Sequence, residues 1–530
     1  MNRAEKALAD IDNTDLIRRI WCKDHTVWSP DDSEISSSLG WLDVDSQIDG
    51  LVQYLKKLES FIQSSDVRHV VLLGMGGSSL GPRVLRDLLG TNLGCTDLIV
   101  LDSILPGVVK SVTDVIDVSK TIFIVSSKSG ATAETNALYK YFRSIVVDIL
   151  GEKSLGQRFF AITNKDTELE TISRRDLFRD IFLAPSDVGG RYSVLTYFGM
   201  VPATFIGVDV AVFLGRAAVM QRSCGPEIPL RENPGAVLGA LLGSMALEGR
   251  NKLTLVTSRS LDSFGMWVEQ LISESTCKDG KGIVPITGEP FVSVDCYGTD
   301  RVFVYIRYDD DENDENDSKM AKIETSGHPV IRLNLSDAYD LGAEFYRWQF
   351  ATSVIGALLG INPFSQPDVE LSKDRANVAL IHNFKYGMPI DFKSSQSFKM
   401  ILNKSRPNDY FAIMVFCEVT DKIKILVQKL RQRLLEKYGL PTTVGYAPRF
   451  LHSTGQMHKG GPNSGLFLQL IADRSEDIAI PDEPYTFGTL TDSQAIGDLG
   501  ALSDLGRRVA TVRLGLDPEN QVLKLIKDIG

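Results

Sequence analysis

The sequence predicts an α/β protein of several domains, built on mostly parallel sheets with helices on both faces. The first observation is length, because 530 residues exceed what one hydrophobic core usually serves. The second is a series of short, continuous apolar runs such as residues 67–73, which are typical of strands buried on both faces. The third is that segments with helical spacing of apolar residues lie between these runs. Such alternation implies right-handed crossovers between parallel strands.

The alternation occurs in three blocks along the chain. The predicted helices cover residues 48–62, 82–89, 108–115, 133–150, 235–248, 263–274 and 421–438. The predicted strands cover residues 67–73, 97–101, 121–125, 159–163, 252–257, 301–307 and 410–417. We therefore expect an irregular N-terminal arm with a short leading helix, two doubly wound domains and a C-terminal α/β segment, at residues 1–45, 46–215, 216–400 and 401–530 in that order.

Composition and charge indicate in which cellular compartment the protein is expected and which partners it is expected to bind. No run approaches the roughly 18 apolar residues that cross a membrane, and the first residues lack the apolar core of a signal peptide. We therefore expect a cytoplasmic protein with no membrane partner. A net charge of -11 disfavours nucleic acid as a partner. The six cysteines are scattered without a CxxC pair or a companion histidine, which predicts buried thiols and neither disulfides nor a metal site.

An acidic run, DDDENDEND, occupies residues 309–317. Its charge density predicts a solvated, mobile loop. A calcium-binding loop is disfavoured because the run lacks the glycine and the terminal glutamate at the offsets of an EF-hand.

The first candidate binding loop, residues 74–82, follows a predicted strand and precedes a predicted helix. Its glycines, including Gly77, let the backbone approach a ligand, and Ser78 adds a hydroxyl group. No lysine stands at the Walker position. A dinucleotide site stays possible here, because the glycine pattern is half met and Asp102 ends the next strand as a ribose-binding acid would. A structural turn without a ligand is a further alternative.

The second candidate loop, residues 126–135, distinguishes between these alternatives. It again joins a buried strand to a helix. Around Lys128 it gathers five hydroxyl groups, those of Ser126, Ser127, Ser129, Thr132 and Thr135. Hydroxyl groups with one cation suit a phosphate monoester, whereas a dinucleotide needs no second loop of this kind. A Ser/Thr-rich turn with an exposed lysine is the plain alternative. The two loops together predict a phosphorylated sugar as the small-molecule partner.

Three further motifs resemble those of the glucose-6-phosphate isomerase family. They are GGRYSVL at residues 189–195, EQLISESTCKDGKG at 269–282 and NPFSQPDVELSK at 362–373. The layout from about residue 42 to 502 is similar to the isomerase half of bacterial transaldolase/isomerase fusions. The resemblance implies two sugar isomerase (SIS) domains and aldose-ketose isomerisation of glucose 6-phosphate and fructose 6-phosphate through a cis-enediol. It also implies roles in glycolysis and gluconeogenesis, a homodimer, and no metal or organic cofactor.

By the resemblance, Glu274 is the catalytic base and Gln270 contacts the substrate. The residues agree, since both side chains lie one above the other at the margin of the apolar stripe of the predicted helix 263–274. A carboxylate there is partly desolvated, which favours proton abstraction. The alternative from the residues alone is an exposed ion pair between Glu274 and Lys278.

The resemblance also implies that Arg191 stabilises the enediolate and that Gln366 and Lys373 contact the sugar. A guanidinium group suits the first role because it keeps its charge and offers fixed donors. Arg191 could instead satisfy loop carbonyl groups, and Lys373 could be a helix-surface charge.

The ring-opening acid is assigned to His458, whose context GQMHKGGPN resembles the family's histidine segment, in preference to His452. In most relatives this segment precedes the NPF motif, whereas here it follows it. Cys277 and Ser365 replace a glycine and an aspartate that are usual in the family motifs. A non-catalytic phosphosugar sensor and a dual glucose/mannose 6-phosphate isomerase are the alternative functions.

Overall fold

Three parallel sheets form the framework of the protein. The computed structural model describes residues 3–32, 34–92, 94–386 and 397–529. The strands in these ranges are β1 (His69–Gly74), β2 (Asp97–Leu101), β3 (Thr121–Ser126), β4 (Phe159–Thr163), β5 (Asp180–Leu183), β6 (Lys252–Thr257), β7 (Val284–Thr287), β8 (Arg301–Tyr308), β9 (Val330–Leu335), β10 (Tyr410–Phe416), β11 (Thr442–Tyr446), β12 (Gly465–Ala472) and β13 (Arg508–Gly515).

The sheets share one winding pattern. Their strand orders are β2-β1-β3-β4-β5, β7-β6-β8-β9 and β11-β10-β12-β13, and every named strand pairs parallel to its neighbours. In each sheet the first strand lies inside, the second lies on one side of it and the third on the other. The predicted α/β class with mostly parallel sheets is confirmed. The domain limits stay a prediction, and the part of the predicted second domain at residues 387–396 lies outside the described residues.

Helices cover the faces of these sheets. They are α1 (Arg3–Asn13), α2 (Leu16–Trp21), α3 (Asp45–Ser64), α4 (Leu80–Leu89), α5 (Pro106–Val115), α6 (Ala133–Leu150), α7 (Glu168–Arg175), α8 (Tyr197–Phe205), α9 (Val210–Ser223), α10 (Pro234–Leu247), α11 (Asp262–Thr276), α12 (Asp314–Thr325), α13 (Asp340–Leu359), α14 (Glu370–Tyr386), α15 (Phe398–Leu402), α16 (Asp421–Tyr438), α17 (Gly455–Gly460), α18 (Phe487–Asp504) and α19 (Pro518–Ile529). Among the described helices, none has the length and apolar character to cross a membrane.

The strands are buried along their whole length where the sequence has its continuous apolar runs. All residues of β3 and β10 are buried. In β3, Phe123 packs against Phe142 and Phe159 with ring centroids 4.9 and 5.2 Å apart. Burial of one such side chain stabilises the fold by roughly 1.5–3 kcal/mol. This packing explains why the runs form central strands rather than half-exposed ones.

The N-terminal arm is more ordered than the sequence predicts. It contains two helices, and its tryptophans Trp28 and Trp41 are buried. The indole nitrogen of Trp28 donates to the carbonyl oxygen of Ser353 at 2.8 Å. Trp41 packs 5.1 Å from the ring of Tyr192, beside the predicted arginine segment. The arm is therefore part of the main core, because large aromatic side chains gain most from burial.

The prediction of a loop over the whole acidic run is wrong in its second half. Helix α12 begins at Asp314, and its first turn contains three acidic residues of the run. Acidic side chains are favoured there because a helix N-terminus carries partial positive charge. Earlier in the run, the carboxylate of Asp311 accepts hydrogen bonds from the backbone N–H and the hydroxyl group of Ser260.

The C-terminal sheet has its own apolar core but packs against the second sheet. One face of it forms a cluster around Ile413 and Leu468. The other face joins Tyr410 and Met414 to Ile286 of β7. This packing brings the loop after β11 towards the first two sheets, where the predicted site residues lie.

Candidate active site

Both predicted binding loops lie at the carboxyl edge of the first sheet. They follow β1 and β3, which are adjacent strands. The strand order reverses between these two strands, since β2 lies beyond β1 and β4 beyond β3. Ligands of open parallel sheets bind in the crevice at such a point.

The first loop is shaped by its glycines. Gly76 has a positive φ of 54°, and a β-carbon there would lie 2.7 Å from the carbonyl oxygen of His452. A β-carbon on Gly77 would lie 2.1 Å from the carbonyl oxygen of Gly190. Ser78 is buried beside them. The glycines are therefore required by close contacts with two distant segments, one before Arg191 and one at His452.

The second loop is held by its own hydroxyl groups. The side chains of Ser127 and Thr132 share a hydrogen bond of 2.9 Å, and Ser127 also accepts from the backbone N–H of Gly130. Ser129 accepts from the N–H of Ala131. These bonds fix the turn that leads into α6, whose N-terminal amide groups point back towards the crevice.

Lys128 is the cation of this loop. No ion pair or hydrogen bond of its ammonium group is found within the part of the chain that the structure describes. Burial and the nearby charge of Arg191 lower the pKa of Lys128, against the smaller effects of Asp187 and Glu34. An uncommitted, partly desolvated cation beside a second one favours an anionic ligand.

Two further hydroxyl groups lie at the two ends of the second loop. Ser126 and Thr135 are fully buried, and their hydroxyl oxygens have no hydrogen-bond partner among the described residues. Buried polar groups are normally satisfied. Their presence at both ends of the second loop indicates additional donors for the same ligand.

Arg191 is buried and makes four hydrogen bonds, which join it to helix α11 and to residues 363–366. Its Nε donates to the hydroxyl oxygen of Ser275 at 2.8 Å, and its Nη1 donates to Oε1 of Gln366 at 3.1 Å. Its Nη2 donates to the carbonyl oxygens of Pro363 and Ser365. The structure therefore brings two of the predicted site residues, Arg191 and Gln366, together. Arg191 also satisfies loop carbonyl groups, as the alternative proposed.

Glu274 lies beside this guanidinium group. Its Oε2 is 3.7 Å from Nη1 of Arg191 and 3.5 Å from Nε2 of Gln270, one turn earlier on α11. Burial raises the pKa of Glu274 from its ordinary value of 4.5 to about 7, although Arg191 and His452 act in the opposite direction. A carboxyl group that titrates near neutrality can both take and return a proton.

The surface ion pair between Glu274 and Lys278 is not found. Both side chains are buried. The amino group of Lys278 donates instead to the carbonyl oxygens of Asn362 and Ser275, at 2.5 and 3.2 Å. The alternative interpretation of Glu274 as an exposed partner of Lys278 is therefore wrong.

His452, the second choice from the sequence, lies beside the predicted site residues. Its Nε2 lies 2.7 Å from Oε1 of Glu134, which is 318 residues away in sequence. The carbonyl oxygen of His452 accepts a hydrogen bond from Nε2 of Gln270 at 2.8 Å. Burial lowers the pKa of His452, but Glu134 outweighs this effect and raises it above the ordinary value of 6.5. Glu134 thus favours the protonated imidazole that an acid requires.

The structure places His458, the acid predicted from the sequence, in an apolar environment. His458 is buried on α17 between the rings of Phe450 and Phe467, whose centroids are 6.0 and 5.1 Å away. Neither of its ring nitrogens has a hydrogen-bond partner among the described residues. Burial, with Lys459 and Arg507 nearby, holds its pKa well below the ordinary value, so it is a neutral core residue.

Lys373 lies at the exposed margin of the site. Its ammonium group pairs with Glu370 at 2.6 Å on the same helix. Its charge is close enough to lower the pKa of His452. The structure therefore brings Lys373 near His452, and its contact with a sugar stays a prediction.

Cys277 and Ser365 are the two residues that depart from the family motifs. Cys277 is buried, and burial raises the pKa of its thiol to about 12, which makes it unreactive. The carbonyl oxygen of Ser365 accepts from Arg191, so this contact does not depend on the Ser365 side chain. Neither departure disturbs the groups around Glu274.

The fold and the site together define a class of protein. It is a parallel α/β protein with a crevice at the carboxyl edge of a sheet, lined by a buried carboxyl group and a histidine. The sequence model of phosphoglucose isomerases matches residues 42–288. A glucose-6-phosphate isomerase of Rubrobacter xylanophilus is 30% identical, over 59% of this chain and 82% of that protein. One from Parabacteroides distasonis is 26% identical, over 63% and 85%. The chain belongs to the phosphoglucose isomerase family.

A solved structure agrees at the level of the fold. The crystal structure of a glucose-6-phosphate isomerase from Chlamydia trachomatis has a TM-score of 0.58 at 18% sequence identity, covering 72% of this chain and 86% of that chain. The family match at residues 42–288 includes both loops, Arg191 and Glu274. Lys373 and His452 lie beyond it and were located by geometry and by motif.

Proposed function

We propose that the protein is a glucose-6-phosphate isomerase, which interconverts glucose 6-phosphate and fructose 6-phosphate through a cis-enediol intermediate. The observation that carries the proposal is the placement of Glu274. This buried carboxyl group, with a pKa of about 7, lies 3.7 Å from Arg191 and next to the crevice that holds the phosphate loops. The relatives named above do not favour a sensor or a dual glucose/mannose isomerase.

In this proposal the phosphate group binds first. Its oxygens accept from Lys128, from the hydroxyl groups of the second loop and from the amide groups of both turns. Charge-assisted hydrogen bonds of this kind give both affinity and orientation. Gln366 and Lys373 then contact the sugar at the outer side of the crevice.

Ring opening follows at His452. The protonated imidazole gives its proton to the ring oxygen as the bond from C1 to that oxygen breaks, and the C1 hydroxyl group gives its proton to water as the aldehyde forms. Glu134 holds the imidazole through Nε2, which leaves Nδ1 for the substrate. A carboxylate partner fixes the ring orientation and stabilises the charged form.

Isomerisation then takes place at Glu274. Its carboxylate removes the proton from C2, and the electron pair forms the C1–C2 double bond while charge develops on the C1 oxygen. Arg191 stabilises that charge because its guanidinium group is already fixed by four hydrogen bonds. The proton of the C2 hydroxyl group then moves to the C1 oxygen. Return of the proton from Glu274 to C1 forms the C2 carbonyl group of the ketose and restores the carboxylate. No metal or organic cofactor is needed for these steps.

We further propose a cytoplasmic homodimer. The groups of the mechanism all come from one chain, since the C-terminal sheet supplies His452 and the first sheet supplies Glu134. The dimer is therefore proposed for stability and not as the source of the histidine.

The direct test is conversion of fructose 6-phosphate in deuterated water. We expect reversible formation of glucose 6-phosphate with deuterium entering at C2. Binding without conversion and without deuterium exchange would reject the isomerase. Turnover of mannose 6-phosphate, measured in the same way, would show broader specificity at C2.

The pH dependence of kcat/KM is expected to be bell-shaped. The acid limb should have a midpoint of about 7, because Glu274 must lose its proton to act as the base. The alkaline limb should lie above the ordinary histidine value of 6.5, because Glu134 raises the pKa of His452. Initial rates in both directions across the pH range give both limbs. An acid limb near 4.5 would contradict a buried base.

Lys128→Gln is expected to raise KM by about 10- to 100-fold with little change in kcat. The variant removes one charge-assisted contact to the phosphate, which is present in ground and transition state alike. Steady-state kinetics with fructose 6-phosphate measures this split. Lys120→Gln, at the opposite end of the same strand, is the matched control. An unchanged KM would remove Lys128 from the phosphate site.

A further inference from the structure

Lys278 is a buried lysine to which the proposed mechanism gives no role. It lies just beyond the end of α11, four residues after the base, and only 3% of its surface is exposed. Lysine is almost never fully buried unless its ammonium group is paired. Its hydrogen bonds to the carbonyl oxygens of Asn362 and Ser275 therefore indicate a specific role.

These two carbonyl groups belong to the segments that hold Arg191. Asn362 directly precedes the segment that supplies three of the four acceptors of the guanidinium group, from Pro363 to Gln366. Ser275 supplies the fourth acceptor through its hydroxyl group. The amino group of Lys278 thus links the end of α11 to this segment. The guanidinium group of Arg191 links the same two elements.

We propose that Lys278 is a positioning residue of the isomerisation, whose buried amino group fixes Arg191 and Glu274 relative to each other and supplies positive charge close to the Glu274 carboxylate. The inference rests on the proposed function. Truncation of Lys278 would free the Asn362 segment from α11. The guanidinium group would then lose its fixed orientation towards the C1 oxygen.

The charged neighbours of Glu274 and Lys278 agree with a positioning role for Lys278. Arg191, His452, Gln270 and Lys278 all lower the pKa of Glu274, against the larger effect of burial. On Lys278 itself, burial and Arg191 lower the pKa well below the ordinary value of 10.5.

Three neighbours act on Lys278 in the opposite sense. Glu274, Cys277 and Asp279 raise its pKa. Glu274 and Lys278 therefore titrate as interacting groups.

The test compares Lys278→Met with Lys281→Met. Lys281 is a matched control because it also donates to a backbone carbonyl oxygen, that of Leu359 at 3.0 Å, but it is not among the main groups that shift the pKa of Glu274. The carboxyl carbon of Glu274 is titrated by NMR in protein labelled with ¹³C-glutamate, and its signal is identified by its absence in Glu274→Gln. We expect the midpoint to rise by about one pH unit in Lys278→Met and to stay unchanged in Lys281→Met.

Kinetics provides the second readout. Lys278→Met should lower kcat by about 10- to 100-fold with KM within about threefold, because the phosphate loops are untouched. Lys278→Gln, which keeps a donor without the charge, serves if the methionine variant does not fold, and it should show the same rise of the midpoint. An unchanged Glu274 midpoint in a folded variant overturns the proposal. The titration needs no turnover, so failure of the isomerase assay in the parent protein is a separate result.

Discussion

Glu274→Gln is expected to lower kcat by about a thousandfold while leaving KM within a few-fold. Glutamine keeps the shape of the side chain and its contact with Gln270, but it cannot accept the C2 proton. General-base catalysis contributes about 10²–10⁴ to the rate, which sets this magnitude. The measurement is the steady-state rate together with deuterium exchange at C2, and both should fall in parallel.

Glu269, also on helix α11, provides a control for the Glu274→Gln variant. Glu269 is also buried, and burial raises its pKa to about 7 as well. Its carboxyl group lies against the hydroxyl group of Thr287 rather than Arg191. Glu269→Gln should therefore retain kcat within about threefold, since a general base must reach the proton it removes. Equal losses in both variants would show that any buried carboxyl group on α11 matters for structure and not for chemistry.

The second large effect is expected at His452. His452→Asn should lower kcat by about 100-fold, and the alkaline limb of the pH profile should disappear, because no group remains to protonate the ring oxygen. Glu134 keeps its hydrogen bond from Gln494, which limits the loss of stability. A thermal denaturation curve of the variant separates loss of fold from loss of chemistry.

His458→Leu is the variant to be compared with His452→Asn. Both ring nitrogens of His458 lack hydrogen-bond partners among the described residues, so an apolar side chain of similar size loses no polar contact. We expect unchanged kcat and an unchanged or higher Tm. A large loss of activity in His458→Leu with an active His452→Asn would reverse the assignment.

Seven of the thirteen described strands could be predicted, because parallel strands are buried on both faces. Strands such as β3 and β10 are uninterrupted apolar runs, which makes their limits visible in the sequence. Strands β5, β7 and β9 were missed because they are short, contain proline or are half exposed. Strand β12 was missed because it follows a glycine-rich loop that masks its start.

The site was predictable to the extent that its groups are local in sequence. The two loops and Glu274 with Gln270 each lie within one strand–turn–helix unit or one helix. The pair of Glu134 and His452 depends on docking of distant sheets, and no local pattern reports such a contact. The glycine-rich context of His458 resembled a family motif, but its ring occupies an aromatic core that only the tertiary structure shows.

The separate origin of His452 has a consequence for inactivation. The histidine belongs to a sheet that has its own hydrophobic cluster, whereas the base and the phosphate loops belong to the body formed by the other two sheets. Catalytic competence therefore depends on the packing of the C-terminal sheet against the other two sheets, which share hydrophobic clusters with it. Mild heat or denaturant that loosens this packing is expected to abolish turnover before the sheets lose their secondary structure.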